Sequence, residues 1–199
     1  DRHVLEKEGR VKVLNDDAPD TDKKMLVNLG SEMDGHEIVI KGTENQALPE
    51  GEIGELMVSG PSVAQGYYEN KQATEEIFLQ KIKGKEQPFL ATGDTALLWE
   101  GNLYFAGRIK DIIIIRGRNY YPHDIELVLS RVEELRPGCL MAYASGLENE
   151  SEHLAVAVEV RADLIKDMDV FRKYVLNSID QQIIEIVGKH FQITPSERL

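Results

Sequence analysis

Three short segments hold the side chains whose types and spacing could do chemistry: Thr92-Gly93-Asp94, Gly107-Arg108-Ile109-Lys110-Asp111, and the run from Arg116-Gly117-Arg118 through Pro122-His123-Asp124 to Glu126. Asp94 follows a glycine in a tight turn, which suits a rigidly held carboxylate. A carboxylate can accept from both vicinal hydroxyls of a ribose, and its charge makes those bonds stronger than neutral ones. Arg108, 14 residues further on with a hairpin between, is a planar and permanently charged donor. It suits an oxygen-rich ligand, or an ion pair with Asp94 when no ligand is bound. Lys110 lies two residues beyond Arg108, at the expected domain boundary, and on its type alone reads as an exposed lysine that aids solubility. Arg116 and Arg118 make one loop locally basic; they could dock an acidic partner, or solvate the loop and pair with Asp124 and Glu126.

Other reactive types lack a pattern. His3, His36, His123, His153 and His190 show no metal-ligand spacing, so no metal site is expected. No Ser-His-Asp arrangement is readable. The single Cys139 excludes an intramolecular disulfide and is expected to be a packed core thiol. The Tyr67-Tyr68 pair suits packing or stacking on a base.

The composition bounds these readings. The chain has 199 residues, 35 acidic against 23 basic, and a formal charge of −12. With 42% apolar residues it can bury a core without disulfides or a structural metal. The acidic balance argues against nucleic acid and anionic membranes, because phosphates would be repelled at long range. No stretch approaches the roughly 20 apolar residues of a membrane span. Asp1-Arg2-His3 opens a polar segment without a signal-peptide core. A cytoplasmic protein is therefore expected.

The elements that must position these residues fall into two parts, with a boundary expected at 106/107. The class is α+β. Residues 1–106 are mostly β: strands at His36–Lys41, Glu55–Ser59, Phe89–Thr92, Ala96–Trp99 and Leu103–Phe105, with a short helix at Asn70–Leu79. Short strands joined by Gly turns predict a strongly bent sheet or distorted small barrel. Residues 107–199 read as a small β-α-β-β-α unit. Its strands are Asp111–Arg116, Cys139–Ala144 and Leu154–Val160. The clearest helix is Pro122–Leu135, with proline at its first position and Ile125, Val128, Leu129, Val132 and Leu135 in one stripe. A second helix is expected over about 167–187 and a strand at 191–193.

In this order, the three segments resemble the adenylate-forming superfamily. Gly60-Pro61-Ser62-Val63-Ala64-Gln65-Gly66-Tyr67-Tyr68 adds to the likeness, and Ile-Ile-Ile-Arg-Gly-Arg-Asn-Tyr-Tyr-Pro-x-Asp-Ile-Glu is most similar to the fatty acyl-AMP ligases. The resemblance covers about residues 25–199. It implies that Asp94 holds the ribose oxygens of ATP or AMP, that Arg108 lies near the same nucleotide, and that Lys110 is the hinge of a mobile small domain. It further implies that the loop of Arg116, Gly117 and Arg118 faces the acyl acceptor, with Gly117 allowing close approach. The implied reaction joins a medium- or long-chain fatty acid to ATP with magnesium, releases pyrophosphate, and passes the acyl group to an acyl carrier protein. A fatty acyl-CoA ligase and a noncatalytic nucleotide- or partner-binding module are the alternatives.

The family's Ser/Thr/Gly-rich loop ending in Pro-Lys is missing, as is the aromatic-x-x-Thr-Glu segment before the ribose aspartate. The terminal catalytic lysine is expected beyond Leu199. The chain is therefore expected to be a fragment, the last β subdomain of the large domain plus most of the small domain. Alone it should hold no ATP or magnesium and form no adenylate, since the charge stabilisation at the α-phosphate is lacking.

Overall fold

In the computed structural model, residues 1–115, 117–145 and 153–161 are described. The chain divides into two compact units, Asp1–Lys110 and Asp111–Leu199.

The first unit opens with helix α1, Arg2–Glu8. The Asp1 side chain caps it by accepting from Val4 N, and Gly9 ends it at φ +65°. Strands β1 (Val27–Asn28), β2 (Glu37–Lys41) and β3 (Gly54–Ser59) precede helix α2 (Lys71–Phe78); β4 (Leu90–Trp99) and β5 (Asn102–Arg108) follow. Asn70 caps α2 through its side-chain oxygen, which accepts from Ala73 N at 3.0 Å. The five strands form one antiparallel sheet in the order β1-β5-β4-β3-β2. It is an open sheet, with β1 and β2 at its two edges, so the expected barrel does not close among the described residues.

Side chains alternate across a strand, and the sheet packs apolar groups on both faces. Val39 and Met57 join Ile82 and Phe89 on one face; Ile40, Leu56, Ala96 and Leu103 cluster on the other. Ile82 sits in a stretch that its charged neighbours make look like pure loop, yet it is 2% exposed.

The second unit has a hairpin of β6 (Ile113–Ile115) and β7 (Arg118–Tyr120), helix α3 (Pro122–Leu129), and an antiparallel pair of β8 (Leu135–Ser145) and β9 (His153–Val160). Ile113, Tyr120, Ile125, Leu129, Val132, Leu135 and Ala142 form its core, flanked by Leu140, Leu154, Val156, Val158 and Val160. Helix α3 ends six residues before the predicted Leu135. Ser130 Oγ donates to Leu127 O at 2.7 Å, and turn bonds from Arg131, Val132 and Leu135 to residues three back carry the chain onward. Val132 and Leu135 still reach the core, so the stripe outlasts the helix. Of the strand expected over Asp111–Arg116, Ile113–Ile115 forms β6, and Ile114 on it is half-exposed. Cys139 is not a core thiol. It is partly exposed on β8, where the register against β9 shifts between Leu135 and Leu140. The helix expected over 167–187 and the strand at 191–193 lie outside the described residues.

Candidate functional site

The site is built on the β4–β5 hairpin. Its two-residue turn holds Glu100 at φ +51° and Gly101 at φ +73°. Both central residues in the left-handed region match the type I′ turn, whose twist fits antiparallel strands. The Glu50 carboxylate accepts from both turn amides, Glu100 N at 3.2 Å and Gly101 N at 3.1 Å. From that turn the ladder runs through Trp99↔Asn102 to Ala96↔Phe105 and closes on Thr95↔Gly107 and Asp94↔Arg108. Two residues 14 apart in sequence thus become direct cross-strand partners.

Thr92-Gly93-Asp94 is not a free turn between two strands. It is an irregular stretch within the continuous β4. Against β3 the register passes from Glu55↔Thr95 to Met57↔Ala91, so β4 takes four steps where β3 takes two. Gly93 lies at φ +77° in this stretch, and a Cβ there would meet nothing within 4 Å. The glycine serves the dihedral angle and not a lack of space. Thr92 Oγ1 accepts from Asp94 N at 3.1 Å and donates to Leu56 O at 3.0 Å. It ties the backbone of Asp94 to the neighbouring strand.

Arg108 Nε donates to Asp94 Oδ1 at 3.2 Å, with the side chains 67% and 27% exposed. A pair this open to water contributes about 0–1 kcal/mol. Both groups can therefore exchange each other for a ligand at small cost. The carboxylate can accept from a diol, and the guanidinium can donate to ring, sugar or phosphate oxygens. Among the described residues no group of three or more His, Cys, Asp or Glu could hold a metal ion.

Lys110 is exposed in a short 3-10 turn, Ile109–Asp111, and is the last residue of the first unit. Gly117 lies at φ +73° in the turn of the β6–β7 hairpin, where Ile115 pairs with Arg118. Its left-handed angle is what the turn requires, whatever approaches it. Arg118 is half-buried on β7, and Arg116 lies outside the described residues. His123 contacts Asp124 at 3.1 Å on the exposed start of α3. Tyr67 meets Phe78 edge-on with ring centroids 5.3 Å apart, whereas Tyr68 is 90% exposed.

Three supporting residues escape a reading of the sequence: Glu50, Thr92 as a positioning group, and Thr95, whose buried hydroxyl donates to Gly107 O at 3.0 Å. Glu50 and Thr95 act on a turn or strand distant in sequence, and nothing local marks them; Thr92 stands in the motif, but its bond to Leu56 O is not legible there.

No family model matches the chain. Curated relatives do. The chain is 33% identical over 196 residues to the medium-chain fatty acid–acyl-carrier-protein ligase JamA of Moorena producens, covering 92% of this chain and 32% of the relative. It is 36% identical over 190 residues to a 4-hydroxyphenylalkanoate adenylyltransferase of Mycobacterium marinum, covering 93% and 29%. The chain thus spans about a third of the length of the curated relatives it matches. Among solved structures it superposes on a fatty acyl-adenylate ligase, from work on the enzymes of E. coli and L. pneumophila, with a TM-score of 0.77. That match has 29% identity and covers 94% of this chain and 31% of the other. On these relatives and this shared fold, the chain belongs to the adenylate-forming superfamily, in its fatty acyl-AMP ligase branch.

Proposed function

We propose that the protein containing this chain is an ATP-dependent fatty acyl-AMP ligase. A fatty acid carboxylate attacks the α-phosphorus of ATP, the bond to the β-phosphate breaks, and pyrophosphate leaves. A carrier-protein thiol then attacks the acyl carbonyl, and AMP departs. The observation that carries this reading is the Asp94–Arg108 pair, an acceptor and a donor set opposite each other on rigid strands. Asp94 takes the ribose hydroxyls, and Arg108 turns from Asp94 toward the nucleotide. Magnesium enters with ATP. Supply of ATP and carrier protein places the reaction in the cytoplasm. No helix among the described residues is long and apolar enough to cross a membrane.

In this reading the first unit is the last β-rich part of the large adenylation domain, and the second is the mobile small domain. The position of Lys110 at the end of the first unit supports its use as the hinge. Arg116, Gly117 and Arg118 face the acceptor in the transfer step. The remainder of the large domain supplies the triphosphate grip and the acyl tunnel, and a lysine outside this chain supplies the remaining charge at the α-phosphate.

The test is to give the full-length protein a fatty acid and ATP, then CoA and holo carrier protein in separate reactions. Acyl-adenylate followed by an acyl-carrier thioester is the expected result; an acyl-CoA thioester instead would overturn the choice of acceptor. Asp94→Asn should raise the KM for ATP about tenfold or more, the scale of a charge-assisted hydrogen bond. An unchanged value removes the ribose assignment.

A further inference from the structure

The β4–β5 register contains a device that the motifs do not reveal. From Trp99↔Asn102 to Ala96↔Phe105 each strand advances one residue per pair. Continued unchanged, this ladder would set Asp94 against Gly107 and Gly93 against Arg108. Neighbouring residues on a strand face opposite sides, so Arg108 would then lie on the far side of the sheet from Asp94. The observed pairing instead resumes at Thr95↔Gly107, and Ala106 is the one extra residue of a β-bulge. This single insertion brings Arg108 to the same face as Asp94.

Thr95 forms the first pair beyond the bulge. It is 7% exposed, and its Oγ1 donates to the carbonyl of Gly107, the residue opposite, at 3.0 Å. Ala106, between the two registers, is fully buried. A buried acceptor that loses its donor is costly, so the hydroxyl favours the bulged register over the regular one.

We infer that Thr95 is a positioning residue for nucleotide binding: its buried hydroxyl pins the Ala106 bulge that sets Arg108 opposite Asp94. Thr95 touches no substrate and acts through Arg108. The inference rests on the assignment of Asp94 and Arg108 to the nucleotide.

The experiment uses the full-length protein, with ATP and magnesium titrated by calorimetry and the KM for fatty acid measured alongside. Thr95→Val keeps the shape and removes the donor; it should raise the Kd for ATP about fivefold, the scale of one net hydrogen bond. The KM for fatty acid should stay unchanged, and Thr95→Ser should restore binding. In a double-mutant cycle, Thr95→Val should have no further effect once Arg108 is changed to Gln. If Thr95→Val does not fold, Thr95→Ala takes its place in the same cycle. A lowered melting temperature with unchanged Kd, or additive effects in the cycle, would overturn the inference while leaving the ribose assignment intact. An unchanged Kd in Asp94→Asn would overturn both.

Discussion

Glu126 Oε1 accepts a hydrogen bond from the backbone N–H of Ala142 at 2.9 Å. The carboxylate belongs to helix α3 and the amide to strand β8, so a side chain joins the two elements that share the core of the second unit. Ala142 is 3% exposed, and water cannot readily replace the acceptor. Glu126→Leu should therefore cost about 1–3 kcal/mol, the penalty for an unsatisfied buried amide, whereas Glu126→Gln keeps an acceptor and should cost less than about 1 kcal/mol. Urea denaturation followed by hydrogen exchange at Ala142 measures both. Equal loss in the two variants would show that the charge matters and not the acceptor.

Gly93 separates space from conformation. An added Cβ meets nothing within 4 Å, but φ is +77°. Gly93→Ala should destabilise by about 1–2 kcal/mol through the left-handed backbone alone. Gly93→Asn should cost less, since asparagine tolerates that region better. Under the proposed function, because Asp94 follows directly, both variants should also weaken ATP binding by the full-length protein, Ala more than Asn. A neutral Gly93→Ala would mean that the local backbone relaxes freely and does not hold the Asp94 carboxylate rigidly.

The contrast between Asp94 and Thr95 shows what the sequence makes legible. Asp94 and Arg108 stand in short motifs with a glycine beside each and a hairpin between, so local order points to them. The Ala106 bulge leaves no mark, because one extra small residue in Leu103–Arg108 does not disturb an apolar pattern. Thr92-Gly93-Asp94 reads as a turn for a similar reason. What makes it part of a strand is pairing with β3 and the bond from Thr92 to Leu56, 36 residues away. Ile82 is hidden by charged neighbours, and the true end of α3 by an apolar stripe that continues through turn residues. Open sheet and closed barrel share the same alternation; they differ only in whether the edge strands β1 and β2 meet.

Cys139 is the chain's one thiol, so its chemistry can be followed without interference. It lies at the β8 irregularity, opposite Glu159 on β9, and Arg136 Nη1 reaches Glu159 Oε1 at 2.5 Å. A hydrogen bond to Glu159, then desolvation, then the charge of Glu159 raise the Cys139 pKa; Arg136 opposes them with a smaller effect. In turn Arg136, and after it the thiol, hold the Glu159 carboxyl below its ordinary range. The thiolate is the nucleophile. A raised pKa leaves less of it near pH 8, so iodoacetamide should modify Cys139 more slowly in the folded protein than in the urea-unfolded chain at the same pH. Glu159→Gln removes the negative charge and weakens the acceptor, so alkylation should become faster and its pH midpoint should move down toward that of a free thiol. Mass spectrometry of the single alkylated peptide over time reads both effects. An Glu159→Gln variant that reacts no faster would show that desolvation alone governs the thiol.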